Sequence, residues 1–112
     1  SYMGPEIPRD EEYAIGYQID GEAVFEIVEE PKMVQSPYAS SRYVIEGKIM
    51  NVSDRTLERA TIFFNIFDAY GNQISSVTDI IWDLSPGSTW KYETTNTPEE
   101  ASSFEFVRIS VR

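Results

Sequence analysis

The chain has 112 residues, carries a formal net charge of −10, and contains neither cysteine nor histidine. This length suits one domain with a single hydrophobic core. The negative charge disfavours nucleic acids and anionic lipids as partners, because both carry phosphate groups. The missing residue types exclude disulfides, thiolate nucleophiles, Cys/His zinc sites and the usual general base near neutral pH. No apolar run approaches the roughly 20 residues of a membrane-spanning helix, so direct membrane insertion is not expected.

The N-terminal residues differ in composition from the rest of the chain. Residues 1–12 are polar, contain two prolines and end in an acidic run, which is typical of a flexible tail. Residues 13–112 have the composition of one folded domain. Within that domain, residues 29–41 contain two prolines and several serines, and we predict that they form a connection with a short extended piece near Met33.

A β-hairpin is predicted at the start of the domain. Apolar residues alternate along 13–19, Asp20-Gly21 is a favoured two-residue turn, and residues 24–28 are rich in β-forming types. The alternative is a helix over 10–19, which Gly16 and the aromatic content disfavour.

Short strand patterns follow one another through the remaining chain. They cover 42–52, 56–69, 73–84, 89–95 and 103–112. Gly71 and Gly87 lie between strong strand patterns and are expected in turns, with Pro86-Gly87 as the central pair of a type II turn. Strands at this spacing, without a helical period, predict an antiparallel sandwich or barrel.

Three motifs in order resemble a known family. Phe64-Asn65-Ile66-Phe67-Asp68 is similar to the F-x-L-Y-D signature of FxLYD domains, with Ile for Leu and Phe for Tyr. "VIEGKIMN" (44–51) resembles the V-x-G-x-V-x-N strand, and "LSPGSTWKY" (84–92) resembles the L-x-P-G-x-x-W-x-F segment. The resemblance covers about residues 42–111. It implies a small immunoglobulin-like β-sandwich from bacterial or archaeal proteins, commonly outside the membrane and without established enzymatic activity.

The pattern and the resemblance together predict an all-β, immunoglobulin-like antiparallel β-sandwich of about seven strands, including the N-terminal hairpin. We expect inward-facing residues on five strands to form the shared core. They are Ile45, Ile49, Ile62, Phe64, Ile66, Leu84, Trp90 and Ile109.

The function expected from these features is a non-catalytic interaction or spacer domain of a cell-surface or membrane-tethered protein. We expect a protein partner, no cofactor or metal, and a monomer or homodimer. Since Ser1-Tyr2-Met3 does not resemble a natural start, the tether is expected outside this sequence. The alternative is a carbohydrate-binding or enzyme-accessory module that stacks sugars on Trp82, Trp90 or the tyrosines. By alternation, Trp82 would share its face with Ile80 and Leu84.

Two further groups of residues could form a calcium site or a glycosylation site, or have only a structural role. Asp79, Asp83 and the glutamate pairs at 29–30 and 99–100 form no calcium-loop pattern, so solvated surface charge is the favoured interpretation. Asn51-Val52-Ser53 fits the N-glycosylation pattern, but next to a turn Asn51 is expected to bond to local backbone.

A candidate interaction face follows from the signature strand. If Phe64 and Ile66 point inward, alternation turns their neighbours outward, and an uncovered apolar patch of that kind is unusual. The candidate face consists of Val44, Met50, Phe63 and Phe67. We predict that the apolar residues of 13–19 cover Phe63 and Phe67 as a lid; the alternative is a dimer or partner surface.

Overall fold

The structure is a computed structural model that describes residues 11–13, 18–19 and 22–112. These residues form nine strands and no helix. The strands are β1 Glu11–Tyr13, β2 Gln18–Ile19, β3 Glu22–Ala23, β4 Phe25–Gln35, β5 Tyr43–Asn51, β6 Leu57–Phe67, β7 Gln73–Leu84, β8 Thr89–Glu93 and β9 Ser103–Val111. The five strands predicted from 42 onward are all present, with bounds that differ by at most two residues.

Two antiparallel sheets enclose the core. One has the order β4-β5-β8 and the other β1-β9-β6-β7, while β2 and β3 pair only with each other. In immunoglobulin terms, the first sheet corresponds to strands A-B-E and the second to G-F-C-C′. β1 therefore lies on the side of β9 where an immunoglobulin domain places its last strand. The predicted all-β antiparallel sandwich is confirmed, with nine strands among the described residues where about seven were expected.

The predicted N-terminal hairpin is confirmed only next to its turn, where β2 and β3 are antiparallel with Ile19 opposite Glu22. Tyr13 pairs with β9 instead, and residues 25–28 belong to β4, which pairs with β5. The turn residues themselves lie outside the described part of the chain. Strand pairing at β1 and β2 contradicts the helical alternative for this region.

β1 begins earlier than the predicted domain boundary. Glu11 lies opposite Val111 and Glu12 opposite Ser110 on β9. These two glutamates were assigned to the N-terminal tail, but their backbones belong to the four-stranded sheet. The rest of that tail, residues 1–10, is outside the described residues.

The predicted connection at 29–41 is wrong in its first half, because β4 continues to Gln35. Register shifts between Ile27 and Glu29 and between Glu29 and Lys32 interrupt its pairing with β5. Pro31 lies inside the second shift. A proline is tolerated there because β4 is an edge strand and a bulge already breaks the hydrogen-bond ladder.

All eight predicted core residues are buried, none more than 4% exposed. The Phe64 ring is at the centre of an aromatic cluster. Its centroid is 5.8 Å from those of Tyr92 and Phe104 and 5.9 Å from that of Phe106. These tilted and edge-on contacts join β6, β8 and β9 across the sandwich, and aromatic pairs of this kind add to the stabilisation from buried area.

Gly47 on β5 makes room for the Tyr92 side chain. The two residues are opposite each other in the β5–β8 ladder. A Cβ atom at position 47 would lie 2.6 Å from Cζ of Tyr92 and 3.1 Å from the carbonyl oxygen of Glu29. The close approach of the tyrosine ring to the backbone therefore requires glycine at this position.

The two predicted turn glycines have the expected backbone conformation. Gly71 has φ 84° and Gly87 has φ 78°. The Ser88 N–H donates to the Ser85 carbonyl at 3.1 Å and closes the second turn. Gly87 directly follows Pro86 and is the third residue of this turn, where a type II turn requires a positive φ.

Candidate interaction surfaces

The four residues of the predicted interaction face lie in two different sheets. Val44 and Met50 are on β5, and Phe63 and Phe67 are on β6. β5 and β6 follow each other in the chain but belong to opposite layers of the sandwich. Residues that point away from the core therefore face opposite sides of the molecule, and the four do not make one continuous surface.

The outer face of the β4-β5-β8 sheet is charged. The Lys48 Nζ atom lies 3.3 Å from a Glu29 carboxylate oxygen, and the Lys32 Nζ atom lies 3.9 Å from Glu46. These ion pairs lie between Val44 and Met50 along β5. Val44 is buried outside the central core cluster and Met50 is half-buried. The arrangement is typical of a solvated sheet face.

On the outer face of the β1-β9-β6-β7 sheet, the Phe63 ring lies beside Arg108. The guanidinium carbon of Arg108 lies 4.0 Å from the centroid of the Phe63 ring, a cation–π contact. Phe63 and Phe67 are both half-buried. Arg108 on β9 thus covers part of the apolar surface for which the sequence predicted a lid formed by residues 13–19.

Among the described side chains of this face, Trp82 and Ile80 form the most exposed apolar pair. Trp82 is 60% exposed and Ile80 is 48% exposed, two residues apart on β7. On β6, Arg59 is opposite Trp82 and Thr61 is opposite Ile80. We call Ile80 and Trp82 the β7 patch. Sequence reasoning named Trp82 as one sugar-stacking candidate but did not place it in the interaction face.

The predicted shared face of Trp82, Ile80 and Leu84 is wrong for Leu84. Asp83 between them has φ 53°, in the left-handed region that aspartate tolerates better than most residues. This conformation breaks the strand alternation. Leu84 consequently turns into the core at 3% exposure while Trp82 stays outside. Trp90, the other candidate for sugar stacking, is buried in the core at 4% exposure.

The Asp79 side chain links the edge of β7 to β8 beside the β7 patch. Its Oδ1 atom accepts the Ile80 N–H and its Oδ2 atom accepts the Glu93 N–H of β8, both at 2.9 Å. The Thr95 N–H donates to the Thr78 carbonyl at 3.1 Å. These bonds join the edges of the two sheets and occupy backbone groups that an added strand would need. The β7 patch therefore offers side chains rather than a free strand edge.

The acidic residues that the sequence offered as a possible metal site are dispersed. Both carboxylate oxygens of Asp79 accept backbone N–H groups, Asp83 is exposed at the end of β7, and Glu99 accepts the Ser41 hydroxyl at 3.1 Å. Among the described residues, no group of three carboxylate, histidine or cysteine side chains is placed to hold a metal ion.

The Asn51 side chain is used inside the fold, as the sequence predicted. Its amide nitrogen donates to the carbonyls of Arg55 at 2.9 Å and Leu84 at 3.0 Å. Its oxygen accepts the N–H of Ser53 at 3.0 Å and the Ser53 hydroxyl. Because Asn51 is fully buried, its amide is not available to a glycosylating enzyme in the folded state.

The predicted lid concerns Tyr13, Ile15, Tyr17 and Ile19. The backbone of β1 adds to the sheet that carries Phe63 and Phe67, beside β9 rather than beside β6. Ile15 and Tyr17 lie outside the described residues. Coverage of the two phenylalanines by this segment stays a prediction.

No protein-family model matches this chain, and no curated protein or solved structure matches it either. Membership of the FxLYD family stays a prediction from the sequence motifs. No helix long and apolar enough to cross a membrane is found in the described part of the chain.

Proposed function

We propose that this chain is a non-catalytic interaction domain of a cell-surface or membrane-tethered protein, and that the β7 patch contacts its protein partner. The observation that carries the proposal is the 60% exposure of Trp82 beside Ile80 on an otherwise well-packed sandwich. Tryptophan is strongly enriched among the residues that dominate binding energy in protein interfaces. An exposed apolar pair on a flat sheet face fits such a contact.

The surroundings of the patch support a rigid docking platform. Asp79 ties the edge of β7 to β8, so the strand that presents Trp82 is held at its centre. A surface held in its bound shape loses less conformational entropy on binding. The absence of histidine and cysteine from the sequence supports a role without catalysis. The resemblance to FxLYD domains supports a position outside the membrane.

Site-specific photo-crosslinking in the source organism tests the proposal. A benzophenone amino acid replaces Thr78, which lies on the outer face two residues before Ile80. The matched control carries it at Thr89, an exposed residue of the opposite sheet. We expect protein adducts from position 78 that Trp82→Ala removes, with the circular dichroism melt unchanged. Identical adducts from both positions, or adducts that persist in Trp82→Ala, would refute the proposal.

A carbohydrate-binding module is the second candidate, and the exposed Trp82 indole favours it because a flat ring of this kind can stack on a sugar face. A glycan array, followed by titration of tryptophan fluorescence, separates the two. Sugar binding that Trp82→Ala abolishes, together with no adduct from position 78, would favour this candidate. A blank array together with Trp82-dependent protein adducts would exclude it.

A further inference from the structure

Three loops meet at the end of the sandwich that lies away from the β7 patch. They connect β4 to β5 (36–42), β6 to β7 (68–72) and β8 to β9 (94–102). The Thr97 N–H donates to the Tyr43 carbonyl at 2.8 Å, and the Ser102 N–H donates to the Phe67 carbonyl at 2.8 Å. The third loop thus passes from the start of β5 to the end of β6. We call these three segments the loop end.

Two tyrosines project from the loop end. Tyr70 is 90% exposed and Tyr38 is 79% exposed, more than the other large hydrophobic side chains of the described residues. β7 separates the loop end from Trp82 by about 30 Å at ~3.3 Å per residue. The two tyrosines therefore belong to a surface distinct from the β7 patch.

Each tyrosine is held by a polar side chain two residues before it. Ser36 Oγ accepts the N–H of Tyr38 at 3.0 Å and that of Ala39 at 3.2 Å. Asp68 Oδ1 accepts the N–H of Tyr70 at 2.9 Å and that of Asn72 at 2.9 Å. The backbone under both rings is therefore fixed before any partner arrives.

Side-chain bonds also tie the first loop to the third. The Ser36 hydroxyl donates to Asn96 Oδ1, and the Ser41 hydroxyl donates to a Glu99 carboxylate oxygen at 3.1 Å. Arg42 Nη1 donates to the Thr97 carbonyl at 3.2 Å. Rigid loops that present exposed tyrosines among serine, asparagine and glycine have the composition and order of protein-binding loops in antibodies. Pre-ordering lowers the entropy cost of binding.

The charge of the loop end selects the kind of partner. Its carboxylates are Asp68, Glu99 and Glu100, and its one basic side chain is Arg42. Tyrosine faces attract lysine and arginine side chains through cation–π contacts, and carboxylates at the rim speed the approach of a positive surface. The net charge of −10 acts in the same direction over longer range.

We propose that the loop end is a second binding surface, distinct from the β7 patch, and that it docks a lysine- or arginine-bearing segment of another protein against its exposed tyrosines, Tyr38 and Tyr70. The domain then has one contact surface at each end of β7 and is suited to connect two partners.

The test begins with selection of random 12-residue peptides on the full chain by phage display. We expect the selected peptides to be enriched in lysine and arginine. Their dissociation constants, measured by fluorescence anisotropy, should rise at least tenfold for the Tyr38→Ala/Tyr70→Ala double variant. Val28→Ala, which shortens an exposed apolar side chain on β4, is the matched control and should leave them within twofold. Glu99→Gln/Glu100→Gln should weaken binding and reduce its dependence on salt.

Amide chemical-shift mapping with the tightest peptide on the unaltered chain gives a second measurement that needs no variant. The largest shifts should fall within 36–42, 68–72 and 94–102. Selection without basic enrichment, undiminished binding by the tyrosine double variant, or shifts centred on Trp82 would each overturn the proposal. The photo-crosslinking at position 78 tests the contact at Trp82, which this proposal does not use. Failed crosslinking would therefore refute the β7 patch alone, and failed peptide binding would refute the loop end alone.

Discussion

Replacing Tyr92 with phenylalanine should leave the protein as stable as before or make it more stable. Tyr92 is fully buried, and its hydroxyl oxygen has no hydrogen-bond partner among the residues that the structure describes. The ring packs against Phe64 and, at a centroid distance of 5.9 Å, against Trp90. Phenylalanine keeps these ring contacts and the fit against Gly47. The substitution therefore removes only a polar group that lost its water on folding.

The magnitude follows from the cost of burying an unsatisfied hydroxyl, about 1–3 kcal/mol. A small void left by the missing oxygen offsets part of this gain, so we expect Tyr92→Phe to raise the free energy of unfolding by about 1 kcal/mol. Urea titration at pH 7, followed by circular dichroism, measures the difference. Tyr70→Phe is the matched control, because the hydroxyl of that exposed residue should contribute nothing. A loss above about 1 kcal/mol in Tyr92→Phe would show that the hydroxyl has a partner and refute the reasoning.

Tyr92→Phe should also change how the free energy of unfolding depends on pH. Burial, and to a smaller extent the nearby charge of Glu30, raises the pKa of Tyr92 above its ordinary value of 10. Above pH 10 the unfolded chain releases this proton while the folded chain retains it, so the wild type loses stability as pH rises. The slope approaches about 1.4 kcal/mol per pH unit. Tyr92→Phe lacks this loss, and its advantage over the wild type should widen between pH 10 and 11. Parallel stability curves would contradict the buried, neutral tyrosine.

Four other outcomes follow from the packing and hydrogen bonds. Phe64→Ala should lower the free energy of unfolding by ~3–5 kcal/mol in a denaturant titration; a loss below about 1 kcal/mol would place the ring on the surface. Gly87→Val should lower the melting temperature because φ is 78° there, and an unchanged value would contradict the turn. Asp79→Ala should cost about 1–2 kcal/mol through two lost charge-assisted bonds, and Asp79→Asn less. Acrylamide should quench Trp82 and spare Trp90, so quenching in Trp82→Phe should nearly vanish.

Local patterns in the sequence were sufficient for the strands and the core. Alternation along β5 and β6 places Ile45, Ile49, Ile62 and Phe64 on inward faces, because strand side chains have a period of two. The positive φ of Gly87 follows from the turn chemistry of the Pro-Gly pair. These features depend on neighbours within a few residues, so composition and spacing predict them.

The extent of β4 was not predictable in the same way. Pro31 ends a strand in most contexts, and only the position of β4 at a sheet edge, with a bulge beside it, allows the strand to continue. Edge position is a property of the assembled sheet. A connection was therefore the natural but wrong prediction for this part of 29–41.

The candidate site shows most clearly what the sequence determined and what tertiary structure decided. By itself the sequence determined that Val44, Met50, Phe63 and Phe67 alternate with inward residues on two successive strands. Only the sandwich decided that β5 and β6 lie in opposite sheets, which separates these residues onto two sides. The left-handed backbone at Asp83 then decided that Trp82 faces solvent while Leu84 is buried. Alternation specifies two faces for each strand, but sheet assignment and breaks in the pleat depend on contacts between residues far apart in the chain.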